Sequence, residues 1–313
     1  MKTVKLLSRL FCLSLLFSSC YTEVIIEDDI FIDEAVFSLD ETLNSYDLWY
    51  VDIDRTAGNG EVPFLQTAFT VSFRSGIVYA NNNLVGIGRK GNGLGITVGI
   101  YDTYNSELEI THDIDGYWRL EISVLNDNEL RMYHRPSNTS YYLSGYQRGN
   151  FDYDLVFYEN IHYFLQEYEV WEKTYTSNLG AINEFDAENF LTFFIDGTSD
   201  IFRSSTDEIG TGIDHIYWDY EGVYTVYDVT GDLYVKTLTL DYDFLDNDYF
   251  ELTVINDSTI ELFHPNSGTV YEFKGIGHIE FLKGTKTNKK REKRILPSMD
   301  IERQSIRKHI KIS

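Results

Sequence analysis

Basic residues are scarce in this chain: 26 Lys+Arg stand against 50 Asp+Glu among 313 residues, a formal net charge of −24. Phosphate binding needs a basic face, so general nucleic-acid binding is excluded for the body of the protein. Cysteine is scarcer still, with only Cys12 and Cys20, and a signal that carries Cys12 away leaves no partner for an internal disulfide. The chain has no Gly-x-Ser-x-Gly elbow, His-Glu-x-x-His helix, Walker loop or Cys-x-x-Cys pair. The common catalytic and metal signatures are therefore missing. Apolar material is ample, at 43% of residues with 24 Tyr and 20 Phe, so a packed core is expected and global disorder is not.

The N-terminus reads as an address. Lys2, Lys5 and Arg9 form a positive start, and Leu10 to Phe17 form an apolar run too short to span a bilayer but suited to a secretory signal. The run ends Phe17-Ser18-Ser19-Cys20, small residues before a cysteine, with Leu16 one position further upstream than a lipoprotein cleavage box has it. A signal over residues 1–20 and a lipidated Cys20 are expected, which also removes a thiol that would be a liability in an oxidising envelope. Residues 21–36 then form an acidic tether.

The body is written twice. Leu120-Glu121-Ile122-Ser123-Val124-Leu125-Asn126-Asp127 recurs as Phe250-Glu251-Leu252-Thr253-Val254-Ile255-Asn256-Asp257. Leu130, Met132, Tyr133 and His134 map onto Ile260, Leu262, Phe263 and His264; Leu48-Trp49 matches Val170-Trp171, and Gly99 matches Gly222. Such self-similarity signals a duplicated structural unit. Within each copy the period is two: Phe69, Val71 and Phe73 alternate with polar residues, as do Trp118, Leu120, Ile122 and Val124. Strands of this kind bury one face and wet the other, which means antiparallel sheet. With frequent Gly and Asn turns they predict an all-β fold of two tandem small barrels, residues 37–150 and 151–282. A short helix is expected before each, from Leu39, Leu43 and Tyr46 and from Ile161, Leu165 and Tyr168. The second belongs to an aromatic stretch from Phe151 to Tyr168, apolar on nearly every side and so expected to fill the junction between the barrels.

These strings resemble a flavobacterial (Bacteroidota) family of tandem lipocalin-like lipoproteins. The likeness rests on Ser19-Cys20-Tyr21-Thr22-Glu23-Val24, on Tyr46-Asp47-Leu48-Trp49-Tyr50-Val51-Asp52, on Ile161 through Trp171, and on Ile260-Glu261-Leu262-Phe263-His264-Pro265. It implies lipocalin-like barrels and an outer-membrane location. Family members often carry the label nicotinic acid mononucleotide adenylyltransferase, which would demand a parallel Rossmann-type sheet with a His-containing phosphate loop. The nearest strings, Gly275-Ile276-Gly277-His278 and Ser204-Ser205-Thr206, sit in alternating strands without a following helix, and Asp207 and Glu208 would repel a triphosphate. The label does not fit the residues.

Candidate chemistry is thin, and no catalytic, cofactor-binding or metal residue is assigned. His134 and His264 occupy matching turn positions, read first as turn caps. Asp113 and Asp115, with Asp243, Asp246 and Asp248 in the longer hairpin of the second copy, offer oxygens that calcium prefers but in no defined calcium-loop spacing. The large residues Phe69, Phe73, Trp118 and Met132 are expected to point inward and fill the first barrel, which moves any ligand to a barrel mouth or to the groove between domains. Residues 283–313 change character, with 11 Lys+Arg against 3 Asp+Glu, where residues 21–282 hold 12 against 47. They are expected as a disordered basic tail, or as an arm lying against the acidic body or on anionic lipid. The reading is a non-enzymatic, lipid-anchored envelope protein that binds a small hydrophobic or glycan ligand or an envelope protein. An envelope glycan hydrolase using a carboxylate pair and a structural envelope-assembly role are the alternatives.

Overall fold

The structure is a computed structural model and describes residues 38–281, 283 and 290–301; Cys20, the signal and the acidic tether lie outside the described residues. It opens with helix α1 (Leu39–Asn44), started by a reciprocal cap in which Ser38 Oγ accepts the Glu41 N–H and the Glu41 carboxylate accepts the Ser38 N–H. Eight strands follow: β1 (Leu48–Gly58), β2 (Thr70–Arg74), β3 (Ile77–Asn81), β4 (Ile96–Tyr104), β5 (Glu107–His112), β6 (Gly116–Asn126), β7 (Glu129–His134) and β8 (Thr139–Tyr146). Each pairs antiparallel with its sequence neighbour, and β1 closes on β8. Ser75 and Gly76, both at positive φ (49° and 78°), make the two-residue turn between β2 and β3, a geometry that suits the strand twist.

Helices α2 (Pro63–Thr67), α3 (Tyr153–Glu159) and α4 (Ile161–Leu165) are short. The second barrel repeats the first with β9 (Tyr168–Thr176), β10 (Phe190–Asp196), β11 (Ser199–Ser205), β12 (Tyr220–Val229), β13 (Asp232–Tyr242), β14 (Asp248–Asn256), β15 (Thr259–His264) and β16 (Thr269–His278). These strands also close, β16 onto β9 and β11 onto β12. The result is all-β and antiparallel, two tandem eight-stranded barrels each preceded by a short helix, in the up-and-down order that lipocalins use. Gly275–His278 lies on β16 and Ser204–Thr206 at the end of β11, so neither belongs to a strand-helix crossover.

The duplication extends to single contacts. Trp49 Nε1 donates to the Leu43 carbonyl at 3.0 Å, and Trp171 Nε1 to the Leu165 carbonyl at 2.8 Å. Tyr46 packs edge-on against Trp49 and donates to the Asp127 carbonyl, just as Tyr168 does with Trp171 and Asp257. Each tyrosine ring lies flat on a glycine of the last strand: a Cβ on Gly145 or Gly275 would stand 2.4 Å from a ring carbon. The helix is thereby pinned across one end of its barrel, and the large aromatic at that joint is buried in both copies.

Both interiors are filled by side chains. The first core contains Val51, Val71, Phe73, Leu120, Met132 and Tyr141; the second contains Trp171, Leu191, Phe193, Phe202, Phe250 and Phe273 and runs without a break into α3, α4 and the outer surface of the first barrel. Three expectations need correction. Phe69 precedes β2 at the barrel rim and packs outward, edge-to-face with Tyr163 at 6.0 Å. The aromatic stretch is broken at Asn160 into α3 and α4; the Asn160 amide donates to Val156 O and to Tyr50 Oη, and its oxygen accepts from Arg291. Residues 290–301 are packed against the body, where β17 (Ser298–Met299) adds parallel to β12, so this part of the basic segment is an arm and not a loose tail.

Candidate functional site

Ladder hydrogen bonds equate positions between the barrels. Val51 N–H donates to Phe69 O and Lys173 N–H to Asn189 O, while Phe69 and Asn189 donate to Asn81 and Ser205. Gly99 faces His112 and Gly222 faces Tyr242 across their ladders. It follows that Val51, Ala68, Ala80, His112, Trp118 and His134 of the first barrel correspond to Lys173, Glu188, Ser204, Tyr242, Asp248 and His264 of the second. Four apolar positions at one mouth have become a lysine, a glutamate, a serine and an aspartate.

Those replacements form one cluster. Tyr242 Oη lies 2.9 Å from both Glu188 carboxylate oxygens and 3.4 Å from Asp248 Oδ2; Asp248 Oδ1 is 3.6 Å from His264 Nε2. Lys173 Nζ donates to the Asp186 carbonyl at 2.7 Å and stands over the Tyr271 ring, whose hydroxyl donates to Asp186 Oδ1 at 2.6 Å. Glu188, Lys173 and His264 are all buried. Burial lifts the Glu188 carboxyl to about 7, lowers the Lys173 ammonium to about 8, raises Asp248 and lowers His264. Perturbed groups gathered at a barrel mouth, where the twin barrel has Val51, Ala68, Ala80 and Trp118 in place of Lys173, Glu188, Ser204 and Asp248, mark a functional-site candidate.

Each of the matching histidines contacts a serine across its turn and makes no capping bond to the backbone there. His134 Nδ1 lies 2.6 Å from Ser137 Oγ, and His264 Nδ1 lies 2.8 Å from Ser267 Oγ; each serine hydroxyl donates on to Thr139 or Thr269. The acids weighed for calcium are scattered: Asp113 pairs with Lys283, Asp115 approaches His112, Asp248 belongs to the cluster, and Asp243 lines an external groove. Among the described residues no group of acids, histidines or cysteines is arranged to hold a metal ion.

That groove, about 480 Å³, adjoins the cluster through Tyr242. Its walls are Arg203, Trp218 and Tyr220, with Asp219 and Glu221, and the hairpin Asp243-Phe244-Leu245. The loop over residues 206–219 is held in shape by its own acids: Asp219 accepts the Thr206 N–H at 2.7 Å and Asp207 the Tyr217 N–H at 2.6 Å. On it and on the facing hairpin Ile209, Tyr217 and Phe244 face solvent, Phe244 being 96% exposed. In the first barrel the equivalent loop has its first half buried, with Leu84 and Ile87 packed into the shared core and the Leu84 and Val85 N–H groups donated to the Glu167 carboxylate. One copy uses this loop as the joint; the other leaves it open.

The cluster was missed in the sequence because its members come from β9, β13, β14, β15 and the turn before β10. A signal existed: sliding one copy over the other places Lys173 on Val51 and Glu188 on Ala68. No known protein family matches the chain, and no curated protein is significantly similar to it.

Proposed function

We propose that this chain is a lipid-anchored, non-enzymatic binding protein of the bacterial envelope, carried on the outer membrane through Cys20, and that it takes a glycan at the open mouth of the second barrel. The observation that carries the ligand reading is the groove in which Trp218, Tyr220 and Phe244 stand beside Asp219, Glu221, Asp243 and Arg203. Aromatic faces suit the C–H faces of sugar rings, flanking carboxylates accept hydroxyl protons, and the volume falls within the range of small-molecule sites. The address rests on Lys2, Lys5, Arg9 and the Ser18-Ser19-Cys20 ending, in keeping with the resemblance to tandem lipocalin-like lipoproteins.

Glycan cleavage has less support. Within the cluster, the two carboxylates with raised pKa, Glu188 and Asp248, are bridged by the Tyr242 hydroxyl, which occupies the space a scissile oxygen would need between an acid pair. The mature protein is to be titrated with soluble oligosaccharides, following the heat of binding by calorimetry. A saturable change that disappears in Trp218→Ala at an unaltered unfolding midpoint supports the site; no saturation with any sugar removes it. For the anchor, fatty-acid labelling of the exported chain is expected to vanish in Cys20→Ser.

A further inference from the structure

The arm at residues 290–301 crosses from one barrel to the other along a specific track. Lys290 pairs with Glu61 on the first barrel. Arg291 is then fully enclosed: its backbone N–H donates to Gln66 O, Nη1 donates to Ala68 O at 2.5 Å, and Nη2 donates to Val51 O and Asn160 Oδ1 at 3.1 Å each. Its guanidinium lies 4.3 Å from the centre of the Phe69 ring. This is a built guanidinium pocket, with an aromatic ring against the cation and fixed acceptors at both terminal nitrogens, while Nε has no hydrogen-bond partner among the described residues. Tyr163 Oη accepts the Glu292 N–H and donates to Lys290 O. Arg294 reaches Asp200 at 2.7 Å, and its N–H goes to Asp54. The segment ends as a strand: Asp228 N–H donates to Pro297 O and Thr230 N–H to Met299 O, with Ser298 opposite Asp228 and Met299 opposite Val229.

The surface under the arm has the parts of a peptide-binding site. β11 pairs with β12 only from Tyr220 to Val223, so the outer edge of β12 beyond Val223 is available for a further strand. Added strands bind through main-chain hydrogen bonds and gain specificity from side-chain pockets. Here the pockets select arginine at one position and arginine again three residues later, with Asp54, Asp200 and Glu61 supplying the complementary charge. Neither barrel needs the arm to close, since both ladders are complete without it.

We propose that the seam between the barrels is a receptor for an extended basic peptide of the form Arg-x-x-Arg followed by a short strand, and that the arm occupies it in cis. A partner protein's basic strand binds by displacing the arm, and the covalent link, which gives the arm a high local concentration, sets the threshold for that exchange. This site is separate from the groove assigned to a glycan and does not depend on it.

The test uses the full chain with a protease recognition sequence inserted between residues 283 and 290. A dye-labelled peptide matching residues 288–301 is titrated by fluorescence anisotropy before and after cutting, with amide hydrogen exchange read at Asp228 and Thr230. Binding is expected after the cut and at least about tenfold weaker before it. Arg291→Ala in the peptide is expected to weaken binding by about a hundredfold, since three charge-assisted contacts and the ring contact are lost. Protection at Asp228 and Thr230 should fall when the cut arm is washed away and return with the peptide. Equal binding of the Arg291→Ala peptide, no binding to the cut chain, or a cut arm that never exchanges each overturns the proposal. Should the cut chain unfold, the same titration on the intact Arg294→Ala chain, whose arm is loosened, decides between binding and its absence.

Discussion

The two barrels share a scaffold and differ at one mouth. In the first, Val51, Ala68 and Ala80 are buried apolar positions and the first half of the neighbouring loop is packed into the joint. In the second, Lys173, Glu188 and Ser204 stand at the same places and the loop faces solvent. Burying a charge costs stability unless it is paired and hydrogen-bonded, so the second barrel tolerates a destabilising arrangement that its twin shows to be unnecessary for folding. A duplicated fold thus separates what the architecture requires from what one copy does with it. The helix pin, with Trp, Tyr and Gly in matching places, belongs to the architecture; the ionisable cluster does not.

The largest effects should come from breaking what the copies share. Gly145→Ala and Gly275→Ala each force a methyl into a tyrosine ring, and each is expected to cost roughly 3 kcal/mol or more, at the upper end of overpacking. Urea midpoints for the two variants should fall by similar amounts; a loss in only one would mean that the pin matters in one barrel alone.

Next comes a change that makes the second mouth resemble the first. Glu188 has a folded pKa near 7, above its value in an unfolded chain, so between about pH 4.5 and 7 the native state holds more protons and its stability falls as pH rises. Glu188→Gln removes a buried carboxylate and should stabilise the protein by on the order of 2 kcal/mol at pH 8 while changing little at pH 4.5. Melting curves at both pH values check this, and a uniform shift would show that ionisation is not the cause. His264 works in the opposite sense: burial lowers it, so the neutral form is favoured and its contribution is lost as pH drops below its unfolded value.

A smaller and symmetric effect is expected at the histidine turns. Ser137→Ala and Ser267→Ala each remove one link of a His-Ser-Thr chain and should cost about 1 kcal/mol, read as a shift in denaturation midpoint. The smallest stability change belongs to Phe244→Ser at the open mouth, within about 0.5 kcal/mol for a surface site. The same variant is expected to weaken oligosaccharide binding, and unchanged binding would remove Phe244 from the groove.

Much of the fold was legible in the sequence. Alternation along β2 and β6 named the strands, and the matched strings named the repeat, because strand period and turn chemistry are local properties carried by adjacent residues. The site was less legible. Lys173, Glu188, Tyr242, Asp248 and His264 are separated by up to 91 positions in the numbering; His264 and Asp248 stand out singly, but nothing local joins them to Lys173, Glu188 and Tyr242. Phe69 misled for a related reason: it continues the alternation of Val71 and Phe73, yet the strand begins only at Thr70, and barrel closure turns the rim residue outward.

By itself the sequence determined the strand character of each copy, the antiparallel pairing and the equivalence of the two units, since each follows from short-range pattern and from repetition. Tertiary structure alone decided which loop became a joint and which stayed open, which charges were gathered and desolvated, and that a run of basic residues would thread between two barrels to bury Arg291. Those outcomes depend on distances between residues far apart in the chain, and burial, not identity, converts a lysine or a glutamate from a solvated surface charge into a group whose proton is at stake.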